Sequence, residues 1–333
     1  MKKVFSMLMV ATMALGLSTG CGTKTTTVET VPTTEETPAK ETEAAGSEEK
    51  HYKFGATYMT LNNPFFGALN SGIEEITGAK GDTVVALDPA LDVSKQISQI
   101  EDLVAQGVDA IFVNPADWKG IRPGLEAAKK AGIPIINVDA PVFDEDLVDS
   151  IVASDNYNAG VLCAKDMMSK MDSAKVVVLE HPTAKSAIDR TDGFLDTIKD
   201  NPNYEVVAKQ SSEGQLEQAM PVMENIIQAN PEINVVMALN DPTAMGALAA
   251  LQAANRADGV LIYGVDGSPD AKQMIKDGKM TGTAAQSPIG IGRTAAEIAY
   301  KILDGQAADK LVSVPVIYID QSNVDEYGTD GWQ

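Results

Sequence analysis

The chain has 333 residues, 44% of them hydrophobic and 5% aromatic, with a formal net charge of −21. That length holds two domains of ordinary size. A nucleic-acid binder needs a cationic footprint to release phosphate counterions, so the charge excludes that class as a primary role.

In chain order, Lys2 and Lys3 precede an apolar run from Val4 to Leu17, followed by small residues and Cys21. This is the layout of a secretory signal, expected over 1–20, and the run is short for a membrane span. The stretch LSTGC (17–21) resembles a bacterial lipobox, which implies lipidation of Cys21; an ordinary cleaved signal is the alternative. Residues 21–50 are Thr, Glu, Pro and Ala with almost nothing to bury, and are read as a disordered tether. Stretched out, such a tether reaches on the order of 90–100 Å. Together these features predict an extracytoplasmic protein lipid-anchored to the cell membrane.

From Lys53 onward, short runs rich in Val, Ile and Ala alternate with amphipathic stretches. Strands are predicted at 53–58, 82–87, 109–113, 134–138, 175–179, 204–210, 233–239, 260–264, 281–285 and 312–318. Helical periods lie between them, as at 94–107 and 121–132, and Pro221 predicts a break or kink in its helix. Alternating strands and helices mean an α/β class with parallel sheets, and ten strands argue for two domains.

The second half of the pattern echoes the first. Residues 110–140 run strand, Asn114, helix, strand, Asp139; residues 235–267 repeat the plan with Asn240 and Asp266. Ligands sit at the carboxyl ends of parallel strands, so each half offers an amide and a carboxylate at its binding edge. Helix capping and turn formation are the competing uses of these four residues.

Cys163 falls in an apolar helical stretch and is read as a small buried hydrophobe. No Cys/His cluster has zinc spacing, and no Ser/His/Asp set is apparent, so neither metal, cofactor nor enzymatic role is expected. His181, after a strand, could face a cleft, but with no partners assembled around it the loop reading is preferred. GIGRTA (290–295) matches a dinucleotide fingerprint formally, but Gln-Ser-Pro separates it from its strand; helix packing is the expected use.

With these stretches in hand, the sequence resembles the sugar-binding periplasmic binding proteins of ABC importers, the ribose-binding-protein group, over about 52–320. TLNNPFF (60–66), VNPAD (113–117), VASDN (152–156), DRTDGF (189–194), LNDPTAMGALAAL (239–251), GVDGSPDA (264–271) and TAAQSP (283–288) carry it in order. The resemblance implies two doubly wound parallel-sheet lobes joined by three crossovers near Ser154, Gln286 and Ile317. The N-terminal lobe would be 51–154 with 287–317, and the C-terminal lobe 155–286 with 318–333. It implies a monosaccharide or sugar alcohol bound between lobes that close on it, presented by a monomer to an ABC permease and its ATPase. A sugar or autoinducer-2-type sensor or chemotaxis co-receptor of the same fold is the alternative.

The resemblance also implies ligand contacts. Asn63, Phe65, Phe66, Asn114, Asp139, Arg190, Asn240, Asp266 and Gln286 match the family's binding residues. Met59 stands where a small hydroxyl residue is usual, Ala140 replaces an arginine, Glu213-Gly214 replaces an aromatic, and Val265 replaces another. Met59, Trp118, Ser154 and Glu213 are therefore added as further candidate contacts, and ribose itself is placed in doubt.

Overall fold

The computed structural model describes residues 50–333. The signal, the Cys21 lipidation site and the tether up to residue 49 lie outside the described residues.

The chain opens with strand β1 (Lys53–Thr57), helix α1 (Pro64–Gly78), β2 (Thr83–Leu87), α2 (Val93–Ala105), β3 (Ala110–Val113), α3 (Arg122–Lys130), β4 (Ile135–Val138) and β5 (Ser150–Ser154). It continues with α4 (Asn156–Lys170), β6 (Ala174–Glu180), α5 (Lys185–Ile198), β7 (Tyr204–Ser211), α6 (Leu216–Ala229), β8 (Val235–Ala238), α7 (Asp241–Ala253), β9 (Leu261–Asp266), α8 (Pro269–Lys276) and β10 (Gly282–Ala285). The end of the chain adds α9 (Pro288–Leu303), β11 (Leu311–Val314), β12 (Ile317–Asp320) and α10 (Val324–Tyr327).

Two six-stranded sheets result, β11-β5-β4-β3-β1-β2 and β12-β10-β9-β8-β6-β7, so the two lobes share one strand order. All pairings are parallel except the last, β10 with β12. Central strands are buried on both faces. In β3, Ala110 and Phe112 join one core cluster and Ile111 and Val113 the other; in β8, Val235 and Met237 separate from Val236 and Ala238 in the same way. Side chains alternate across a strand, so an unbroken apolar run fills two cores at once.

The chain passes between the sheets after β5, after β10 and between β11 and β12. The run predicted as one strand at 312–318 is two, divided at Pro315, which has no N–H for a ladder. Ile317, placed by the sequence reading with the first lobe, pairs with Ala285 in the second sheet. β5 was not predicted: its three apolar residues lie between serines and make too short a run to stand out. Pro221 does not end its helix; α6 runs through it, and the proline lies on the exposed face, where the freed carbonyl meets water. Cys163 is fully buried on α4, and burial pushes its thiol pKa up.

Each lobe contains a helix pair that meets through a glycine on either helix. A Cβ on Gly72 of α1 would lie 2.3 Å from the Ile289 carbonyl oxygen, and one on Gly292 of α9 would lie 2.1 Å from that of Leu69. In the other lobe, a Cβ on Gly160 of α4 would meet the Arg190 carbonyl oxygen at 1.9 Å, and one on Gly193 of α5 that of Tyr157 at 2.0 Å. The GIGRTA stretch thus supplies a helix contact through Gly292. Because the obstacle is backbone, no side-chain rotation relieves it. Gly160→Ala should therefore cost about 1–3 kcal/mol, as overpacking does. Gly78→Ala, with nothing within 4 Å of the new methyl, should change stability little. Urea midpoints of the two variants check this; equal midpoints would remove the close helix approach as a constraint.

Candidate functional site

The cavity between the lobes begins at the end of β1. Asn63 is the N-cap of α1 and its Oδ1 accepts from the Phe65 N–H at 3.0 Å. Pro64 follows in the first helical turn, where its missing N–H costs nothing. That corner turns both adjacent phenylalanines inward. Phe66 stacks on Tyr58 at 5.9 Å, Phe65 stands edge-on to Phe66 at 5.5 Å, and both line the cavity. Phe65 also meets the ring of Trp332 edge-on at 5.8 Å. The C-terminal segment, assigned from sequence to the second lobe, is held there by the buried Lys272, whose Nζ donates to the Gly331 carbonyl at 2.7 Å, yet its tip returns to Phe65.

Asp139 sits just past β4 and Asp266 is the last residue of β9, both with unusual backbone. Asp139 has φ 64° and Asp266 φ 135°. L-residues other than Asn and Asp rarely enter the left-handed region, and a value of 135° is rarer still. These turns aim the side chains across the sheet edge. Asp139 Oδ2 accepts from Asn114 Nδ2 at 3.1 Å, and Asp266 Oδ1 from Gln286 Nε2 at 2.8 Å. Asp139 Oδ1, Asp266 Oδ2 and Gln286 Oε1 are buried with no hydrogen-bond partner.

Arg190 reaches between them from α5. Its Nε donates to Asn156 Oδ1 at 2.8 Å and its Nη1 to the Leu239 carbonyl at 3.1 Å. Its nitrogens lie 3.6 Å from Asp266 Oδ1 and 3.9 Å from Asp139 Oδ1. Burial raises the Asp139 pKa to about 6 against the opposing pull of Arg190 and Asn114, and holds that of Asp266 well above the ordinary carboxylate range.

The structure brings Asn63, Phe65, Phe66, Asp139, Arg190, Asn240, Asp266 and Gln286 to one cavity wall, together with Met59 and Glu213. Asn114, Trp118 and Ser154 are not on it. Asn114 is fully buried behind Asp139, where its Oδ1 accepts from the Met59 N–H at 3.0 Å. Its loop is braced by Gln96, which donates to the Asn114 carbonyl and accepts from the Ala116 N–H. Trp118 is half-buried against Phe143 at 5.4 Å, and its backbone N–H donates to the Thr183 carbonyl of the opposite lobe at 3.0 Å. Ser154 ends β5 with a buried, unpartnered Oγ. Asn240 on the wall also caps α7, accepting from Thr243 N–H, and its Nδ2 donates to the Gly214 carbonyl.

For His181 the sequence favoured a loop residue over a cleft-facing one, and the structure shows the second. It comes directly after β6, as Tyr58 and then Met59 come after β1, and it lines the cavity, 5% exposed. Matching strand ends across the two lobes was the signal that points to it. Ala184, Ser186 and Ala187 were also missed; Ser186 and Ala187 share the inner face of α5 with Arg190. Asn62 Nδ2 donates to Gln215 Oε1 at 2.9 Å, a further bond between the lobes. Among the described residues, no group of three or more His, Cys, Asp or Glu side chains is placed to hold a metal ion.

Burial lowers the His181 pKa from 6.5 to about 4, partly opposed by Asp117. Between those values the unfolded chain binds a proton that the folded protein refuses, so this residue removes stability as pH falls, by at most about 3 kcal/mol. Urea unfolding of His181→Gln from pH 7 to 4.5 should show a shallower loss than the parent. Identical slopes would show that the ring is not held neutral.

A family model described as periplasmic binding protein domain matches residues 54–307. The ribose import binding protein of Bacillus subtilis strain 168 is 36% identical over 318 residues, covering 95% of this chain and 98% of that protein. The fold is similar to an ABC transporter solute binding protein from Actinobacillus succinogenes 130z with bound D-allose. That likeness has a TM-score of 0.77 and 31% identity over 83% of this chain and 100% of the other. A Caulobacter myo-inositol binding protein bound to myo-inositol gives a TM-score of 0.79 and 30% identity over 83% and 96%.

Proposed function

The chain belongs to the periplasmic binding protein domain family, and on that premise we propose that it is the extracytoplasmic receptor of an ABC importer, taking a monosaccharide or sugar alcohol between its lobes. The observation that carries this reading is the set of buried acceptor oxygens without partners, Asp139 Oδ1, Asp266 Oδ2 and Gln286 Oε1, beside the Phe65 and Phe66 rings. Leaving buried acceptors unmade costs about 1–3 kcal/mol each, more where they are charged. A polyol brings hydroxyl donors to such oxygens and a C–H face to the rings.

In the binding step, Arg190 steadies the charge of both carboxylates while Asn114 and Gln286 fix their inner oxygens, leaving the outer ones to accept from the ligand. Asn63 keeps Nδ2 for the ligand because Oδ1 is used as a cap. The bodies that close are 51–154 with 287–314 and 155–286 with 317–333, hinged at the three crossings, and the closed form is what the permease and its ATPase read. Cys21 holds the protein to the outer face of the membrane through its lipid.

Calorimetry against pentoses, hexoses, aminated sugars and polyols should find a ligand with Kd near micromolar, about −8 kcal/mol. No binding by any member would sink the reading. Arg190→Lys keeps the charge but loses the planar fork, and should weaken binding roughly 10- to 100-fold. Unchanged affinity would take Arg190 out of the site. Cys21→Ser should abolish incorporation of labelled lipid and release the protein from membranes; continued labelling would refute the anchor.

A further inference from the structure

The inner wall of the cavity carries two carboxylates and one cation. Asp139 and Asp266 are 3% and 2% exposed and flank the single guanidinium of Arg190. That guanidinium spends two of its donors on Asn156 and the Leu239 carbonyl and stands beyond hydrogen-bond distance from either carboxylate. Ala140, beside Asp139 and fully buried, brings no charge.

The neighbouring groups do not change the balance. Behind the wall, Asp241 is buried and accepts from Ser268 N–H and Thr283 Oγ1, each at 2.7 Å. Lys272 turns its ammonium to the Gly331 carbonyl and away from the cavity wall. On the wall, His181 is neutral and Glu213, at the exposed rim, adds a further negative charge.

The unmet hydrogen bonding has the same sign. Of the buried side-chain atoms without partners, the three that belong to the cavity wall, Asp139 Oδ1, Asp266 Oδ2 and Gln286 Oε1, are acceptors; Ser154 Oγ and the Tyr318 hydroxyl lie off it. A hydroxyl brings one donor and adds lone pairs of its own. An ammonium brings three donors, no acceptor and one positive charge.

We propose that the ligand is an amine-bearing polyol, an amino sugar or amino cyclitol, whose ammonium is taken by the free oxygens of Asp139 and Asp266. This rests on the reading of the cavity as a polyol site and names the class within it. The ligand completes the charge pairing that Arg190 begins, and its remaining hydroxyls meet Gln286 and Asn63. Burial is what raises the pKa of both aspartates in the free protein, with Arg190 opposing it, and a second cation beside their free oxygens would lower both.

The test is calorimetry at pH 6.5 with matched sets: glucosamine, glucose and N-acetylglucosamine; galactosamine, galactose and N-acetylgalactosamine; an inosamine and the parent inositol. In at least one set the free amine should bind tenfold or more tighter than its hydroxyl and acetylated counterparts. Asp139→Asn and Asp266→Asn, whose backbone angles asparagine tolerates best, should each bring that ratio toward one while the fold is retained by circular dichroism. Hydroxyl compounds binding as well as or better than their amines would overturn the proposal and leave the polyol reading standing. Binding by no member of any set would overturn the proposal, and the same result across the wider panel of pentoses, hexoses and polyols would overturn the polyol reading as well.

Discussion

Two carboxylates kept out of water around one guanidinium govern this molecule. An ion moved into the interior costs several kcal/mol even after relaxation, and it is tolerated only when partners surround it. Arg190 and Asp266 come from one lobe and Asp139 from the other, so the pairing forms only when the lobes face each other. Asn114, Gln96, Asn156 and Gln286 are arranged to hold those three charges still. Each spends at least one polar atom on the charged groups or on the loops that carry them, which accounts for so much buried amide chemistry at one level of the fold.

The scaffold makes that arrangement from one plan used twice. Both sheets place their second helix-linked strand beside the first, so the ends of β1 and β3 in one lobe and of β6 and β8 in the other open onto the same crevice. The glycine-mediated helix pairs seat α1 and α5 tightly on their neighbours. Those two helices carry Phe65 and Phe66 on one side and Arg190 on the other. Rigid packing far from the ligand therefore sets the positions of the groups that would touch it.

Much of this was legible in the residues. Apolar runs alternating with amphipathic ones give the class and the two sheets, because a strand buried on both faces has to be apolar throughout. The Asn and Asp echo marked the sheet edges, since polar residues at matched strand ends need a shared reason. What the echo did not reveal is how differently the asparagines are spent. Asn114 supports an aspartate, Asn240 caps a helix, and Asn63 caps another while facing the cavity. These uses depend on which atom finds a donor in three dimensions, and no spacing encodes that. His181 escaped for a related reason: its role comes from the equivalence of β6 with β1, a property of topology. Trp332 escaped because a terminal tryptophan gives no sign of returning to a residue 267 positions earlier.

The positive φ angles at Asp139 and Asp266 constrain how this receptor can vary. Asparagine and glycine are the residues that share such backbone without large strain, so these two positions admit a change of charge or a deletion of the side chain but hardly any change of shape. Descendants of this protein that acquire another ligand are thus steered to reshape the site at Met59, Ala140 and Glu213. Of these, Glu213 itself has φ 52°, which narrows its alternatives as well. Backbone geometry fixes where diversity can accumulate, and the chemistry of the pair at the strand ends is inherited nearly intact.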